Sequence, residues 1–372
     1  MTTRERITST DRKALAFIAH FPGADTECVT QALLANESTF DTPENATASI
    51  HPTKSVVGRR LAKLARLGAI QSWRSPAAQV THHGILDAGY DALEMFGEAP
   101  ILERGITHKT GTALMHCRDI AAVAAQLMHG EYANPHVTQR LGNSVSLDAF
   151  ITDQAMNSAV TTLRTQDTTF SLYQHVKSTL ADATAEDISD PYFWVTQPEL
   201  VVLTAPATVE VKHRTHRADM VILANSGKRY AVEIERSAKP VAAYEDIMRL
   251  FLYTYKGYES AGSDKPVKPV DGMIWLCASK TIKNAVTRAA NRVHPDLIAK
   301  GLVVVADLTN ADGSHLTYGD TVPVVERSNA MRVPKVTGNS MRPPKVTSNA
   351  MRVPKVTGNS MRVPVLKNSV NA

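Results

Sequence analysis

Residues 217–236 read RADMVILANSGKRYAVEIER. Two apolar runs of β-prone residues flank a short polar loop that contains glycine, so this stretch predicts two antiparallel strands joined by a tight turn. We expect the loop to be residues 225–227, with Gly227 at the position that requires a positive φ. That register places Asp219 directly opposite Glu233.

A third carboxylate lies close to these two. Glu235 falls on the same strand face as Glu233, because side chains repeat every two residues along a strand. Each carboxylate raises the cost of ionising its neighbours. Hard divalent cations prefer oxygen ligands and relieve that repulsion. The hairpin therefore predicts a site for Mg²⁺ or Mn²⁺ at Asp219, Glu233 and Glu235.

Composition limits the class of protein. The 372 residues are 43% hydrophobic, which is enough for two modest domains and a tail. The sequence contains no apolar run of about 18 residues and begins with polar residues, so we expect neither a membrane span nor a signal peptide. Its cysteines are few and far apart, which indicates a reduced compartment and a cytoplasmic protein. They are Cys28, Cys117 and Cys277.

A basic repeat occupies the C-terminus. The decapeptide MRVPKVTGNS at residues 331–340 recurs in the two following units, and a degraded copy closes the chain. Residues 328–372 carry eight basic residues and no acid, which leaves 33 basic and 36 acidic residues in the body. We expect a disordered tail. Two interpretations stay open: salt-sensitive contacts to phosphates, or a solvated extension spread by slippage of repeated DNA.

Residues 1–99 predict three helices followed by a β-hairpin. The third helix is expected over residues 54–67, where Val57, Leu61 and Leu64 belong to one apolar stripe. Six basic residues and no acid occur between residues 54 and 74, and most of the basic residues on the helix lie off that stripe. A basic helix face of this kind favours contact with nucleic acid.

The stretch RRLAKLARLGAI at residues 59–70 resembles the recognition helix and first wing strand of the winged-helix family. The resemblance implies that the third helix enters the DNA major groove and that the wing touches the backbone or minor groove. Base or near-base contacts are expected from Ser55, Arg59 and Arg60. Phosphate contacts are expected from Lys63, Arg66 and Arg74. A solvated basic face, or a winged helix used for protein contact, remains the alternative.

Residues 100–327 predict a second domain. A long helix over residues 106–128 carries His116 and Asp119 one turn apart. Residues 130–198 are poorly patterned. The order of elements after residue 198 predicts a hairpin that feeds a parallel α/β sheet. The expected elements are a strand at 199–203, the hairpin, a helix at 240–258, a strand at 273–277, a helix at 281–293 and a strand at 302–305.

This order, with carboxylates on the hairpin, resembles the PD-(D/E)xK nuclease superfamily, which has the restriction-endonuclease fold. The resemblance implies that Asp219 is the first metal ligand, that Glu233 is the acid of the ExK element, and that the Ile234 carbonyl is a third ligand. The chemistry it implies is attack of metal-activated water, or of another nucleophile, on a phosphodiester, with the cation neutralising the developing charge.

Two positions depart from the family pattern. Ala218 stands where proline is common, and Glu235 stands where lysine is usual. Lys239 or Arg236 could restore a positive group, although Lys239 requires a migrated geometry. The sequence therefore leaves open whether the nuclease site is active. The candidate catalytic set is Asp219, Glu233, Glu235 and Lys239.

The whole chain is expected to be α+β: a winged helix at residues 1–99, a nuclease-like domain at 100–327 and the tail at 328–372. This combination resembles the MobC-type plasmid mobilisation relaxases and the replication-relaxation proteins of plasmids and phages. The resemblance implies nicking of DNA at a plasmid origin of transfer or replication, alongside relaxosome or coupling proteins. The alternative is a non-catalytic DNA-binding regulator of plasmid or phage replication or transcription.

Four tyrosines are either core residues or a covalent nucleophile: Tyr244, Tyr253, Tyr255 and Tyr258.

Overall fold

The central sheet has the strand order β11-β10-β7-β6-β3 in a mixed α+β protein. The computed structural model describes residues 7–37, 53–74, 80–97, 111–142, 144–310 and 313–314. The described strands are β1 Ile70–Arg74, β2 Thr81–Ile85, β3 Phe150–Thr152, β4 Leu203–Thr204, β5 Thr215–His216, β6 Met220–Leu223, β7 Arg229–Glu235, β8 Tyr258–Ser260, β9 Ser263–Val267, β10 Gly272–Cys277 and β11 Val303–Asp307.

Helices cover the sheet on both faces and build the N-terminal part. The described helices are α1 Ser9–His20, α2 Thr26–Glu37, α3 Lys54–Arg66, α4 Asp87–Glu94, α5 Gly111–His129, α6 Pro135–Leu141, α7 Asp153–Gln166, α8 Leu172–Asp182, α9 Ala185–Ser189, α10 Pro191–Thr196, α11 Val241–Lys256, α12 Lys280–Val293 and α13 Asp296–Ala299.

The hairpin of β6 and β7 has the predicted loop and register. The two strands are antiparallel and pair Met220 with Val232 and Leu223 with Arg229. The loop spans residues 225–227, and Gly227 has a φ of 76°. Both expectations are therefore confirmed. They followed from local chemistry, because few residues other than glycine tolerate a positive φ at the end of such a loop.

The sheet changes from antiparallel to parallel at β7. The strands β3, β6 and β7 form an antiparallel meander, whereas β10 and β11 run parallel to β7. Side chains alternate between the two faces. Val232 and Ile234 belong to the core cluster that contains α5, and Ala231 and Trp275 belong to the cluster that contains α11 and α12.

The N-terminal helix–hairpin unit comprises α1 to α4 with β1 and β2. Its elements follow the predicted order, and α3 buries Val57, Leu61 and Leu64 as expected. Its apolar side chains share one core cluster with α5 and with one face of the central sheet. The ring of Phe21 packs edge-on against Phe150 in β3 at 5.5 Å. The expected boundary between residues 99 and 100 lies outside the described residues.

Several elements differ from those that the sequence predicts. The poorly patterned region holds α6 to α10 and the short edge strand β3. The strand expected at 199–203 is wrong, because Pro198–Val201 forms a 3-10 turn and only Leu203–Thr204 pairs as a strand. Residues 328–372 lie outside the described part of the chain. None of the described helices is long and apolar enough to cross a membrane.

Candidate active site

Asp219 lies at the point where the β6–β7 ladder ends. The last paired residues are Met220 and Val232, and continuing that register by one residue aligns Asp219 with Glu233. The Asp219 side chain turns back onto the strand edge instead, and its Oδ2 accepts a hydrogen bond from the Ile234 N–H at 2.7 Å. The carboxylate thereby takes the place of a backbone acceptor where the ladder ends.

His116 from α5 holds the second oxygen of Asp219. Its Nε2 lies 2.8 Å from Asp219 Oδ1. Burial acts to lower the pKa of His116, but the hydrogen bond and the charge of Asp219 outweigh it, so the pKa is raised. The ion pair with Asp219 therefore favours the charged imidazolium.

His216 from β5 holds Glu233 in the same way. Its Nε2 lies 2.7 Å from Glu233 Oε1, and the Glu233 side chain is only 7% exposed. Burial raises the pKa of Glu233, His216 opposes that rise, and the charge of Asp219 adds to it. The charges of the two carboxylates therefore interact, although each carboxylate is hydrogen-bonded to a different histidine.

Lys239 reaches the third carboxylate. Its Nζ lies 2.6 Å from Glu235 Oε2, with the Glu235 side chain 6% exposed and the Lys239 side chain 45% exposed. Burial disfavours the charge on Lys239, but the hydrogen bond and charge of Glu235 raise the pKa of the ammonium overall. The chain that follows β7 thus places a cation beside the last carboxylate of the strand.

Asp119 lies one helical turn beyond His116 and is fully buried. Arg236 Nε is 3.0 Å from Asp119 Oδ2, but neither Asp119 oxygen accepts a hydrogen bond from a described residue. Burial, only partly offset by Arg236, raises the pKa of Asp119 to about 7. A buried carboxyl that titrates near neutrality is typical of a functional site.

The carboxylates do not form a ready metal cage. Within the described residues, no group of three or more His, Cys, Asp or Glu side chains is placed to hold a metal ion. The acids are matched instead by His116, His216, Lys239 and Arg236. The arrangement is an alternating network of acids and cations around the carboxyl end of β7. In open α/β sheets, ligands bind outside the carboxyl ends of the strands.

The tyrosines of α11 are buried or half-buried, and the Tyr244 hydroxyl borders the network. Tyr244 is fully buried, its hydroxyl accepts from the Lys239 N–H at 2.9 Å, and its ring packs edge-on against Trp275. Tyr258, just beyond the helix, is also buried. Tyr253 and Tyr255 are half-buried.

The predicted DNA-contacting residues of the N-terminal unit divide into two groups. Arg60 and Lys63 both contact Asp11, a fully buried acid of α1, at 3.2 Å and 2.9 Å. Asp11 lies on another helix, so no pattern within α3 indicated this pairing. Ser55, Arg59, Arg66 and Arg74 are exposed.

The N-terminal unit contacts α5 through an ion pair between Arg118 and Asp25. Arg118 lies between His116 and Asp119, so one helix contacts both the N-terminal unit and the acidic network.

No protein-family model, curated protein or solved structure matches the chain. The function of the site is therefore inferred from the residues of this chain alone.

The sequence carried only weak signals for the two histidines. His216 lies three residues before Asp219, and His116 lies one helical turn from Asp119. Neither spacing identifies its carboxylate partner. His116 meets Asp219 across 103 residues of sequence, and such a pairing depends on how α5 packs on the sheet.

Proposed function

We propose that this chain is a DNA-nicking endonuclease of the PD-(D/E)xK type, a plasmid mobilisation relaxase that finds its DNA site with a winged helix. The observation that carries the proposal is the position of Lys239. Its ammonium lies 2.6 Å from Glu235 on the strand that also bears Glu233. Glu233, Glu235 and the Lys239 ammonium thus lie at the same end of β7, although the lysine is not at the sequence position that is usual for the family.

The order of elements supports the nuclease assignment. A long helix, α5, precedes the antiparallel strands β3, β6 and β7, and α11 then leads to the parallel strand β10. The carboxylates lie on the β6–β7 hairpin at the junction with the parallel part of the sheet. This agrees with the helix, hairpin, helix and strand order on which the resemblance was based.

The donor chemistry suits a hard cation. Mg²⁺ is usually held by one or two carboxylates together with waters and substrate phosphates, rather than by a cage made only of protein. Asp219 and Glu233 would supply those two carboxylates. The Ile234 carbonyl would supply a third oxygen, because the N–H and C=O of a strand residue point toward the same neighbour and the Ile234 N–H bonds Asp219 beyond the last paired residues of β6 and β7. When bound, Mg²⁺ or Mn²⁺ would activate water and neutralise charge on the phosphate.

The chain's own side chains orient this centre. His116 and His216 hold Asp219 and Glu233 through hydrogen bonds of 2.8 Å and 2.7 Å. Glu235 holds the Lys239 ammonium at the strand end, where a positive charge attracts a phosphate and stabilises developing negative charge. Asp119, with a pKa near 7, can bind or release a proton around neutral pH.

The N-terminal unit supplies the DNA reader in this proposal. Three helices followed by a two-stranded hairpin have the order of a winged helix. Arg59, Arg66 and Arg74 are exposed there and are assigned to the DNA surface, with Ser55 beside them. Arg60 and Lys63 are assigned to the same surface, although both also form ion pairs with Asp11.

The decisive experiment uses purified protein and pools of supercoiled plasmid DNA with Mg²⁺ or Mn²⁺. Wild type is compared with Asp219→Asn and Glu233→Gln, and Glu259→Gln serves as the matched control because Glu259 is exposed in β8. Nicking by wild type and by the control, lost in both site variants, supports the endonuclease. Nicking that survives in both site variants refutes it.

One observation favours a second function. Every carboxylate of the network already contacts a cationic or imidazole side chain, and the described residues include no three-ligand group. A protein with such a site could be a non-catalytic DNA-binding regulator of plasmid or phage replication. Sequence-specific binding by wild type without nicking in either metal would favour this regulator over the endonuclease.

A further inference from the structure

A second cleft lies at the opposite end of the central sheet from the carboxylates. Its volume is about 790 Å³, and it is open to solvent. The β6–β7 turn, the end of α6 and the chain that leads into β10 and β11 all contribute to its walls. Because β7 rises about 3.3 Å per residue, the five steps along the strand from Tyr230 in this cleft to Glu235 in the acidic network span roughly 17 Å.

Cations dominate this cleft. Among the residues that the structure describes, its lining includes Arg140, Lys228, Lys268 and Lys300 and one acid, Asp271. Asp271 is already occupied, since its Oδ2 accepts from the Arg229 N–H at 2.9 Å and lies 3.4 Å from the Arg229 guanidinium.

Lys300 contributes a cation to the cleft, and its ion pair lies at the surface. It pairs with Asp296 at 2.7 Å, but both side chains are well exposed. An exposed pair of this kind contributes little stabilisation, so a stronger anionic partner can replace it. The cleft therefore presents a net positive charge.

Arg140 is held in place rather than left mobile on the surface. Its guanidinium donates to the carbonyls of His136 at 3.1 Å and Gly301 at 2.9 Å. Gly301 has a φ of 65°, and a Cβ there would collide with the guanidinium. Carbonyl partners position the guanidinium without neutralising its charge, so a preorganised cation faces the cleft.

An aromatic ring completes the lining. The Lys268 ammonium lies 3.9 Å from the centre of the Tyr255 ring, which is half-buried beside the cleft. Grooves for single-stranded nucleic acid combine cations along the backbone with aromatic rings. At about 790 Å³ the cleft has the size of a ligand pocket, which is room for a few nucleotides of one strand.

We propose that this cleft binds the phosphodiester backbone of single-stranded DNA, with Arg140, Lys228, Lys268 and Lys300 as the phosphate contacts. The choice of DNA rests on the proposed function, whereas the binding of a phosphodiester strand rests on the cleft alone. In this proposal the cleft binds the single DNA strand at one end of β7, and the acidic network lies at the other end of β7.

The test measures binding of a fluorescent deoxythymidine dodecamer to the full chain by anisotropy, in EDTA and over a series of NaCl concentrations. The variant combines Lys228→Gln, Lys268→Gln and Lys300→Gln, and Lys177→Gln is the control because Lys177 is exposed on α8. Each phosphate contact with a single strand contributes about 0.7 to the salt slope, so the triple variant should lower that slope by about 2 and weaken affinity about tenfold. The control should match wild type.

An unchanged affinity and slope in the triple variant would overturn the proposal, as would an equal loss in the control. Inorganic tripolyphosphate distinguishes the source of the phosphates: if it binds in the cleft more tightly than the dodecamer, a strand is not the ligand. Because binding is measured in EDTA, it does not depend on nicking. A wild-type protein that never nicks DNA therefore refutes the endonuclease while the cleft result stands.

Discussion

Asp219 Oδ2 accepts the backbone N–H of Ile234 at 2.7 Å, in the position where a carbonyl of β6 would continue the ladder. One carboxylate thus closes the open end of a strand pair and also faces the acidic network. Substitutions at Asp219 therefore affect stability and chemistry together, and two variants are needed to separate the effects.

Asp219→Ala should destabilise the fold by about 1–3 kcal/mol, because the Ile234 N–H loses the carboxylate that accepts its hydrogen bond at a strand end. Asp219→Asn retains an amide oxygen for that N–H, so we expect it to cost less than the alanine variant. Both variants should abolish nicking, since both remove the charge. Urea denaturation measures the first effect, and plasmid relaxation measures the second. Equal stability losses in the two variants would contradict the structural role.

The Lys239–Glu235 pair can be tested with a double-mutant cycle. Lys239→Met removes the cation from a buried carboxylate, and the cost should be about 1–2 kcal/mol, because the lysine is partly exposed. Adding Glu235→Gln should recover most of that loss, since the carboxylate charge is then gone. Chemical denaturation of the four proteins gives the coupling energy.

Catalysis should not recover in this double variant. If Lys239 acts on the phosphate, Lys239→Met with Glu235→Gln stays inactive although it is stable. Lys280→Met, an exposed lysine at the start of α12, is the matched control and should nick as wild type does. Restored nicking in the double variant would limit Lys239 to a role in folding.

Local patterns in the sequence were sufficient for the hairpin and for α3. The loop at residues 225–227 requires a residue that tolerates positive φ, and Gly227 supplies it. The apolar stripe on α3 fixes which face is buried. These features depend on residues within one or two elements, so periodicity and turn chemistry identify them.

Long-range partners could not be read from such patterns. The basic run on α3 contains no acid, yet Asp11 of α1 lies beneath it and binds Arg60 and Lys63. The edge strand β3 has only three residues, too few for a periodic signal, and it joins the sheet because β6 offers an unpaired edge. Contacts between distant segments depend on packing, which a single sequence does not state.

Substitutions in the N-terminal unit should distinguish an arginine that contacts only DNA from one that also stabilises the fold. Arg59→Ala should weaken specific DNA binding by about 1–3 kcal/mol while stability stays within about 0.5 kcal/mol of wild type, because Arg59 is exposed. Arg60→Ala should weaken binding and also lower stability, since buried Asp11 loses a partner. Footprinting measures the first effect, and thermal unfolding measures the second. Unchanged footprints in both variants would remove α3 from the DNA interface.

The stability of the fold should fall as pH rises through the titration of Asp119. Its pKa is about 7 in the folded state against an ordinary 3.8, so between these pH values the folded protein holds a proton that the unfolded chain has released. The linkage relation then requires stability to fall with rising pH, by roughly 4 kcal/mol at most. The charged groups that act on Asp119 are Arg236, Arg118, His116 and Asp219.

Asp119→Asn tests this linkage, because asparagine has the same shape and does not titrate. Its stability relative to wild type should increase between about pH 4 and pH 7 and then level off. Asp264→Asn, an exposed acid in β9, is the control and should follow wild type at every pH. Urea denaturation at matched pH values gives both differences. A constant difference across this range would mean that Asp119 is ionised in the folded protein throughout, held by Arg236, and that it takes no part in proton transfer.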